Sequence, residues 1–267
     1  MVVLHGGGSH AKVASRIGFT ALAEREEFIV VYPEAIAGHW NDGRTGKGIE
    51  EKAGGHEDVV FVVALVEMLR EKYKIDPHRI YVTGFSNGGM VSHRLAIEDA
   101  ELFAAIAPVI GGIAKPLGAA NRFMPSHPVS VLILQGAEEP LLPYGGGHLT
   151  VDIIPSRRER NPRDHGAIVS TDEVIRLWNG VNGSRGEACI TQLPDLDKLD
   201  GCRLERSDWP AGSGGSRTSL IRMIAAGHTV PGARQYLPEK VIGKTCRDAD
   251  AVEMIWSFFE ANPRLAE

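Results

Sequence analysis

The sequence has few cysteines, no long apolar run and no excess of positive charge. Three cysteines, Cys189, Cys202 and Cys246, are too few for a scaffold held by disulfides, and a single bridge such as Cys189 to Cys202 stays open. No run of about 18 apolar residues occurs, which argues against a transmembrane helix. The net charge of −5 argues against binding to nucleic acid or to an anionic membrane surface.

Signals for export and for metal binding are also missing. The opening residues, MVVLHGGGSH, have neither a basic start nor a long apolar segment, so they do not resemble a signal peptide. We therefore expect a chain that begins already inside its fold, and the compartment stays undecided. No C-x-x-C pair or Cys/His cluster predicts a zinc site, and we expect neither a metal nor a cofactor.

What the sequence does contain is an alternation of apolar runs and amphipathic stretches. Six runs predict strands, at residues Val2–Leu4, 28–32, 79–83, 102–109, 129–135 and Thr218–Ile224. Five stretches predict helices, at residues 13–26, 57–74, 88–98, 171–179 and 249–261. This alternation predicts an α/β fold with a mostly parallel, doubly wound sheet, and we expect one domain over residues 1–267.

Two segments, about 143–170 and 180–215, fit this scheme poorly and are predicted to be lid-like loops. Long loops in a compact domain tend to be functional or mobile, and here they would lie over the carboxyl ends of the strands. The first segment contains four arginines. We interpret them either as a solvated surface or as part of a lid that meets an acidic or phenolic substrate; they are Arg157, Arg158, Arg160 and Arg163.

A glycine-rich motif follows the third predicted strand and precedes a predicted helix. The residues Gly84-Phe85-Ser86-Asn87-Gly88 fit the pattern G-x-S-x-G. A serine on a sharp strand-to-helix turn has its hydroxyl exposed, and small neighbours let the backbone turn. The free N–H groups of the following helix point to the same place. The motif predicts a nucleophile at Ser86, with a plain solvated turn as the alternative.

A nucleophilic serine also needs donors for an oxyanion, and a second glycine motif offers them. The run HGGG, at residues 5–8, directly follows the first predicted strand, so the backbone N–H of Gly7 or Gly8 can face a reacting carbonyl. The second predicted donor is the N–H of Asn87, the residue after the nucleophile.

The base and the acid are expected late in the chain, in the order serine, acid, histidine. His228 follows the sixth predicted strand in the run AAGHTVPG and is the candidate base. Glu138 and Glu139 end the fifth strand, and only one of two adjacent side chains can face His228; we favour Glu139. The remaining histidines in polar loops are interpreted as bystanders: His39, His56, His78, His127, His148 and His165.

These residues resemble the polyhydroxybutyrate depolymerase and feruloyl esterase family of α/β-hydrolases. The resemblance runs from His5 to Phe259 and is carried by HGGG, WNDGR, IDPHRIYVTGFSNGGMVSHRLA, PLLPYGGG, LPD, GHTVPG and IGKT…IWSFF. It implies an α/β-hydrolase fold with a nucleophile at Ser86, a base at His228 and an acid at Glu139. The family is often exported.

The sequence departs from the family pattern in two ways. Glu139 stands where that family usually carries Asp, so the backbone or the imidazole must shift by about one methylene. The strands that normally precede the HGGG strand are lacking, which would leave the strand from Phe28 to Tyr32 at an exposed edge. Bare apolar edges invite pairing, so we expect a partner chain (a homo-oligomer) or a rearranged segment there.

The resemblance implies ester hydrolysis through an acyl-enzyme. Feruloyl or other aromatic esters and short-chain esters are the favoured substrates; a polyhydroxyalkanoate-type depolymerase and an acyltransferase on the same triad are the alternatives. A non-catalytic binding protein and a metal-dependent hydrolase are disfavoured. Trp40 is a candidate for substrate binding, and a packed loop anchor is an equally good interpretation.

Overall fold

The centre of the protein is a mixed sheet, seen in a computed structural model that describes residues 1–53, 55–149 and 164–265. Within these residues the sheet has the order β1-β2-β3-β4-β9-β8-β7. The strands are β1 Val2–Leu4, β2 Tyr81–Phe85, β3 Ala105–Val109, β4 Ser130–Gly136, β7 Cys189–Gln192, β8 Arg203–Asp208 and β9 Thr218–Ile224. A separate two-stranded ribbon pairs β5 Gly147–His148 with β6 Ala167–Ile168.

The first five strands of this order are parallel, and the last two are antiparallel. Every residue of β4 is buried, because helices cover both faces of the sheet and a continuous apolar run satisfies both. The parallel strands place their carboxyl ends at one edge, where the loops after β1, β2, β4 and β9 meet.

Helices pack against both faces of the sheet. They are α1 Ala11–Ala14, α2 Phe19–Arg25, α3 Lys47–Ala53, α4 Asp58–Lys72, α5 Asn87–Glu98, α6 Thr171–Asn182, α7 Glu239–Ile242 and α8 Ala251–Ala261. Helices α4, α5 and α6 contribute to one buried apolar cluster, which includes Val62, Leu95 and Trp178. Helices α2 and α8 contribute to the other, which includes Leu22 and Phe259. The predicted α/β-hydrolase architecture with a mostly parallel, doubly wound sheet is confirmed.

Three local predictions are wrong. The segment 28–32 lies beside β1 but forms only a single bridge, at Val31. The segment 13–26 is two helices, α1 and α2, because Gly18 interrupts it with a φ of 130°. The predicted loop 180–215 contains β7 and β8, which extend the sheet. The expected pairing of the 28–32 edge with another chain stays a prediction.

Half of the other predicted lid, residues 143–170, falls outside the described residues. The part outside is residues 150–163, which include the four arginines Arg157, Arg158, Arg160 and Arg163. The segments that flank them form the ribbon of β5 and β6. Among the described residues, no helix combines the length and the apolar character needed to cross a membrane.

The bridge between Cys189 and Cys202 is excluded by strand register. Cys189 pairs with Asp208 at one end of β8, whereas Cys202 precedes Arg203 at the other end. Five residues of extended chain separate those ends by roughly 16 Å, and two Cα atoms more than about 7 Å apart cannot be bridged. All three cysteines are free thiols.

The buried His93 of α5 predicts a loss of stability in acid. Its side chain is fully buried, its Nδ1 accepts a hydrogen bond from Trp178 Nε1 at 3.1 Å, and burial lowers its pKa to about 3. In the unfolded chain an imidazole titrates near 6.5, so this contribution is complete above that pH and is lost as the pH falls towards 3. We expect the free energy of unfolding to fall by about 2 kcal/mol between pH 7.5 and pH 5 from this group.

Denaturant unfolding of the wild type and of His93→Gln at the two pH values checks this prediction. Glutamine can still accept the Trp178 hydrogen bond but does not titrate. The variant should lose less stability between the two pH values than the wild type. Equal losses in both proteins would contradict the assignment to His93.

Candidate active site

Ser86 sits on the sharp turn between β2 and α5. Its φ of 55° and ψ of −119° lie in a region that L residues rarely adopt, at a cost of about 1–3 kcal/mol. Two backbone bonds hold this conformation: Ser86 N–H donates to Val109 O, and Met90 N–H donates to Ser86 O, both at 2.9 Å. The serine side chain is therefore held at the carboxyl edge of the sheet.

Two glycines make this turn sterically feasible. A Cβ atom on Gly84 would lie 2.4 Å from the carbonyl oxygen of Gly88. A Cβ atom on Gly88 would lie 2.5 Å from Leu4 O and 2.6 Å from His5 O. Since these contacts are with backbone atoms, no larger residue fits without moving the turn. The glycines of the G-x-S-x-G motif thus seat the start of α5 against the end of β1.

A continuous chain of hydrogen bonds joins Ser86, His228 and Glu139. The distance from Ser86 Oγ to His228 Nε2 is 2.9 Å, and the distance from His228 Nδ1 to Glu139 Oε2 is 2.8 Å. Because an ionised carboxylate only accepts, the Nδ1 atom carries the proton and Nε2 is left to accept from the serine hydroxyl. Three residues that are far apart in sequence are thus brought within hydrogen-bonding distance.

Glu139 is held rigidly beneath the imidazole. Its Oε1 atom accepts hydrogen bonds from the backbone N–H groups of Leu141 at 2.7 Å and Leu142 at 3.1 Å. The carboxylate side chain is completely buried, and the imidazole of His228 is 1% exposed. Glu138, by contrast, points to solvent. The turn after Glu139 thus supplies two donors that fix its carboxylate.

Hydrogen bonds to backbone oxygens hold the loop that carries His228. Gly227 N–H donates to Lys244 O at 3.1 Å, and Thr229 Oγ1 donates to the same oxygen at 2.9 Å. Tyr236 Oη donates to His228 O at 3.1 Å, and burial raises the pKa of this phenol. The phenol therefore stays protonated and keeps donating.

The predicted oxyanion donors Gly7 and Gly8 differ in whether their backbone N–H is already hydrogen-bonded. The N–H of Gly8 donates to Gly38 O at 2.9 Å, so it is engaged, and its assignment as a donor is corrected. The N–H groups of Gly7 and Asn87 make no hydrogen bond to another described residue. The two residues are neighbours, since a Cβ atom on Gly7 would lie 3.4 Å from Asn87 Cβ.

The assignment of Trp40 to substrate binding is also corrected. Its side chain is fully buried, and its Nε1 donates to His5 O at 3.0 Å. Its backbone N–H donates to Asn87 Oδ1 at 2.8 Å, and its carbonyl accepts from Asn87 Nδ2 at 3.0 Å. Trp40 therefore anchors the loop against the nucleophile turn.

A polar network that no sequence pattern predicts surrounds this anchor. Asn87 Nδ2 donates to Asp42 Oδ2 at 2.6 Å, and Arg44 forms a bidentate ion pair with the same buried carboxylate, from Nε to Oδ1 and from Nη2 to Oδ2. Arg44 also donates to His165 O at 3.2 Å. This network clamps the WNDGR run to the residue after Ser86. In the sequence, this run carries only the family resemblance.

A cavity of about 1030 Å³ opens at Ser86. Its apolar wall includes Val13, Ile17, Leu141 and Leu237, and the residues Gly7, Asn87 and His228 also line it. Two histidines interpreted as bystanders, His39 and His165, lie on its wall. Burial lowers the pKa of His39, and its Nδ1 lies 3.1 Å from Ala37 O. The neutral imidazole therefore donates from Nδ1 and can accept at Nε2.

Comparison with known families agrees with this geometry. A family described as "Esterase PHB depolymerase" matches residues 1–124, which contain both glycine motifs. Over these residues the chain is similar to that esterase family. The resemblance to polyhydroxybutyrate depolymerases and feruloyl esterases is thereby confirmed.

The relatives differ in how much of their length is shared. A protein of Nocardia uniformis subsp. tsuyamanensis with the name "Putative esterase NocK" is 28% identical over 96% of this chain and 72% of its own length. Poly(3-hydroxyalkanoate) depolymerase C of Paucimonas lemoignei is 31% identical over 42% of this chain. Probable feruloyl esterase C of Aspergillus niger is 33% identical over 34% of this chain. The matched regions span 27% and 32% of the latter two proteins.

Solved structures share the fold. An acetyl xylan esterase from Aspergillus awamori superposes with a TM-score of 0.55 at 17% identity, covering 86% of this chain and 83% of its own. Esterase PE8 superposes with a TM-score of 0.53 at 14% identity, covering 98% and 91%. At these identities the likeness shows the α/β-hydrolase fold alone.

Proposed function

We propose that the protein is a serine esterase that hydrolyses carboxylic esters through an acyl-enzyme. The observation that carries the proposal is the hydrogen-bonded series Ser86–His228–Glu139 at the wall of the large cavity. Similarity to an esterase family over residues 1–124 supports the same reaction class.

In the first half of the reaction, Ser86 Oγ attacks the acyl carbon as His228 Nε2 takes its proton. Glu139 holds the protonated Nδ1 and stabilises the imidazolium that forms. The N–H groups of Gly7 and Asn87 hold the oxyanion. His228 then gives the proton to the leaving alkoxide, and the alcohol departs.

In the second half, water replaces the alcohol. His228 removes a proton from the water as it attacks the acyl-enzyme carbonyl. The same two N–H groups hold the second oxyanion, and Ser86 leaves with the proton returned by His228. The chemistry uses only side chains and backbone groups of this chain.

For the substrate we propose feruloyl or other aromatic esters and short-chain esters. The apolar cavity wall suits an aromatic or aliphatic acyl group, and relatives named as feruloyl esterases support this choice. A polyester depolymerase is the second candidate, supported by the relative from Paucimonas lemoignei. An acyltransferase would use the same triad with an alcohol in place of water.

A substrate panel combined with active-site labelling tests the proposal. 4-Nitrophenyl acetate and butyrate, methyl ferulate and a short 3-hydroxybutyrate oligomer are incubated with the enzyme, with and without a competing alcohol. A fluorophosphonate probe is mapped by peptide mass spectrometry. We expect ester hydrolysis and a single adduct on Ser86. An active enzyme that is labelled at another residue, or none at all, would overturn the proposed mechanism.

A further inference from the structure

The charges on the cavity wall are of one sign. Four cationic residues line it, whereas no aspartate or glutamate does so among the described residues; the cationic residues are Arg16, Arg44, Lys52 and Arg234. The chain as a whole has a net charge of −5, so this wall differs from the average surface. A cavity lined by one sign of charge concentrates ligands of the opposite sign.

Two of these cations are available for a ligand. Arg44 is neutralised by its bidentate pair with Asp42. The guanidinium groups of Arg16 and Arg234, in contrast, make no hydrogen bond or ion pair with a described residue. Both side chains are exposed, so their donors face water or a bound molecule.

Arg16 and Arg234 belong to segments that adjoin each other. Arg16 precedes Ile17, and Arg234 lies four residues after Val230. Ile17 and Val230 line both the large cavity and a second, small cavity beside it. The two arginines therefore occupy the part of the wall where the segment after α1 meets the loop that carries His228.

We propose that this wall is a subsite for an anionic group on the substrate, which makes esters with a free carboxylate the substrate class of the enzyme. The inference rests on the proposed esterase function. A guanidinium matches a carboxylate with two parallel hydrogen bonds. The acyl chain packs on the apolar wall with its carbonyl at Ser86, and its carboxylate reaches Arg16 and Arg234.

A matched pair of esters isolates the charge. 4-Nitrophenyl hexanoate and the mono-4-nitrophenyl ester of adipic acid have acyl chains of equal length, and the second carries a carboxylate in place of the terminal methyl. The double variant Arg16→Gln/Arg234→Gln is compared with Arg185→Gln, which removes an exposed arginine that does not line the cavity.

We expect the double variant to lose about tenfold in kcat/KM for the adipate ester, mainly through KM, and less than about twofold for the hexanoate. The Arg185→Gln variant should change neither substrate. An unchanged ratio between the two esters, or an equal loss for both, would overturn the subsite. Hydrolysis of the hexanoate by the wild type reports the esterase function separately.

A second, independent observation concerns the two buried cysteines. Cys202 precedes β8 and Cys246 follows the His228 loop; both are fully buried. Their sulfur atoms and an oxygen of Asp200 lie within 4.8 Å of one another. Asp200 accepts the N–H groups of Cys202 and Arg247 at 2.7 Å. The thiols make only long contacts to oxygen, from Cys202 Sγ to Ala225 O at 3.5 Å and from Cys246 Sγ to Asp248 Oδ2 at 3.7 Å.

We infer that Cys202 and Cys246 form a redox-active pair. With a low-molecular-weight disulfide as oxidant, the Cys202 thiolate attacks one sulfur and releases one thiolate. The Cys246 thiolate then attacks the mixed disulfide and releases the second, so two thiols become one disulfide and the oxidant is reduced. Burial raises the pKa of both thiols, which keeps the exchange slow in the folded protein.

The bond would tie the residue before β8 to the segment that follows α7. Gly232 N–H donates to Cys246 O at 2.8 Å, which connects the cysteine to the loop that carries His228. A disulfide between Cys202 and Cys246 would close a long loop and so restrict the unfolded chain. The oxidised protein should therefore melt at a temperature higher by about 5 °C or more.

The test uses the variant Cys189→Ser, which removes the exposed thiol. It is incubated with, or refolded in, oxidised glutathione, and free thiols are counted after denaturation. We expect two thiols before treatment, none afterwards, and a Cys202–Cys246 peptide by mass spectrometry. Cys189→Ser/Cys246→Ser should keep its thiol or carry glutathione and show no rise in Tm. Two free thiols after both treatments would overturn the inference.

Discussion

Ser86→Ala is expected to lower kcat by about 10⁴-fold or more on every ester that the wild type hydrolyses. Alanine removes the oxygen that forms the acyl-enzyme, while His228 and Glu139 keep their hydrogen bond. The N–H groups of Gly7 and Asn87 remain, so a residual rate above that in water is expected. Steady-state kinetics on the most reactive nitrophenyl ester measure the loss.

The variant Ser92→Ala is the matched control. Ser92 lies on the same helix, α5, is fully buried, and donates from Oγ to Gly88 O at 2.9 Å. Its loss should cost stability and leave kcat within about threefold of the wild type. A thermal melt shows whether Ser86→Ala is folded. A folded Ser86→Ala enzyme with near-normal turnover would remove Ser86 as the nucleophile.

The sequence predicts best those parts of the sheet that are buried on both faces. The bounds of β1 and β9 coincide with the predicted runs, and β4 differs by one residue at each end. Continuous apolar runs identify such strands because helices cover both sides. The antiparallel strand β8 was not predicted, because its sequence, RLERSD, is mostly polar and only Leu204 and Ser207 are buried. Its weak alternation of buried and exposed residues lies within a long polar segment that is typical of a loop.

The convergence of the candidate site could be predicted for a topological reason. Ser86, Glu139 and His228 each follow a parallel strand, so all three lie at the same edge of the sheet. The contributions of Trp40 and Gly8 could not be predicted, because they depend on the path of loops. The carbonyl of Gly38 approaches Gly8 from a segment thirty residues away, and no local pattern encodes that contact.

The second large effect on kcat is expected at Glu139, one of two adjacent glutamates. Glu139→Gln is expected to lower kcat by about 10³–10⁴-fold, as expected when the acid of a triad becomes an amide. The amide can turn its oxygen to Leu141 and Leu142, which leaves its NH₂ group facing His228. The imidazole then accepts at Nδ1 and carries its proton on Nε2, so it cannot take the proton of Ser86.

Glu138→Gln provides the matched control, because it makes the same chemical change one residue earlier. Glu138 is exposed, so kcat should stay within about twofold of the wild type. The rate of fluorophosphonate labelling should follow the same order, since it reports activation of Ser86 without product release. A larger loss in Glu138→Gln than in Glu139→Gln would reassign the acid, whereas equal and small losses would leave His228 to act without a carboxylate.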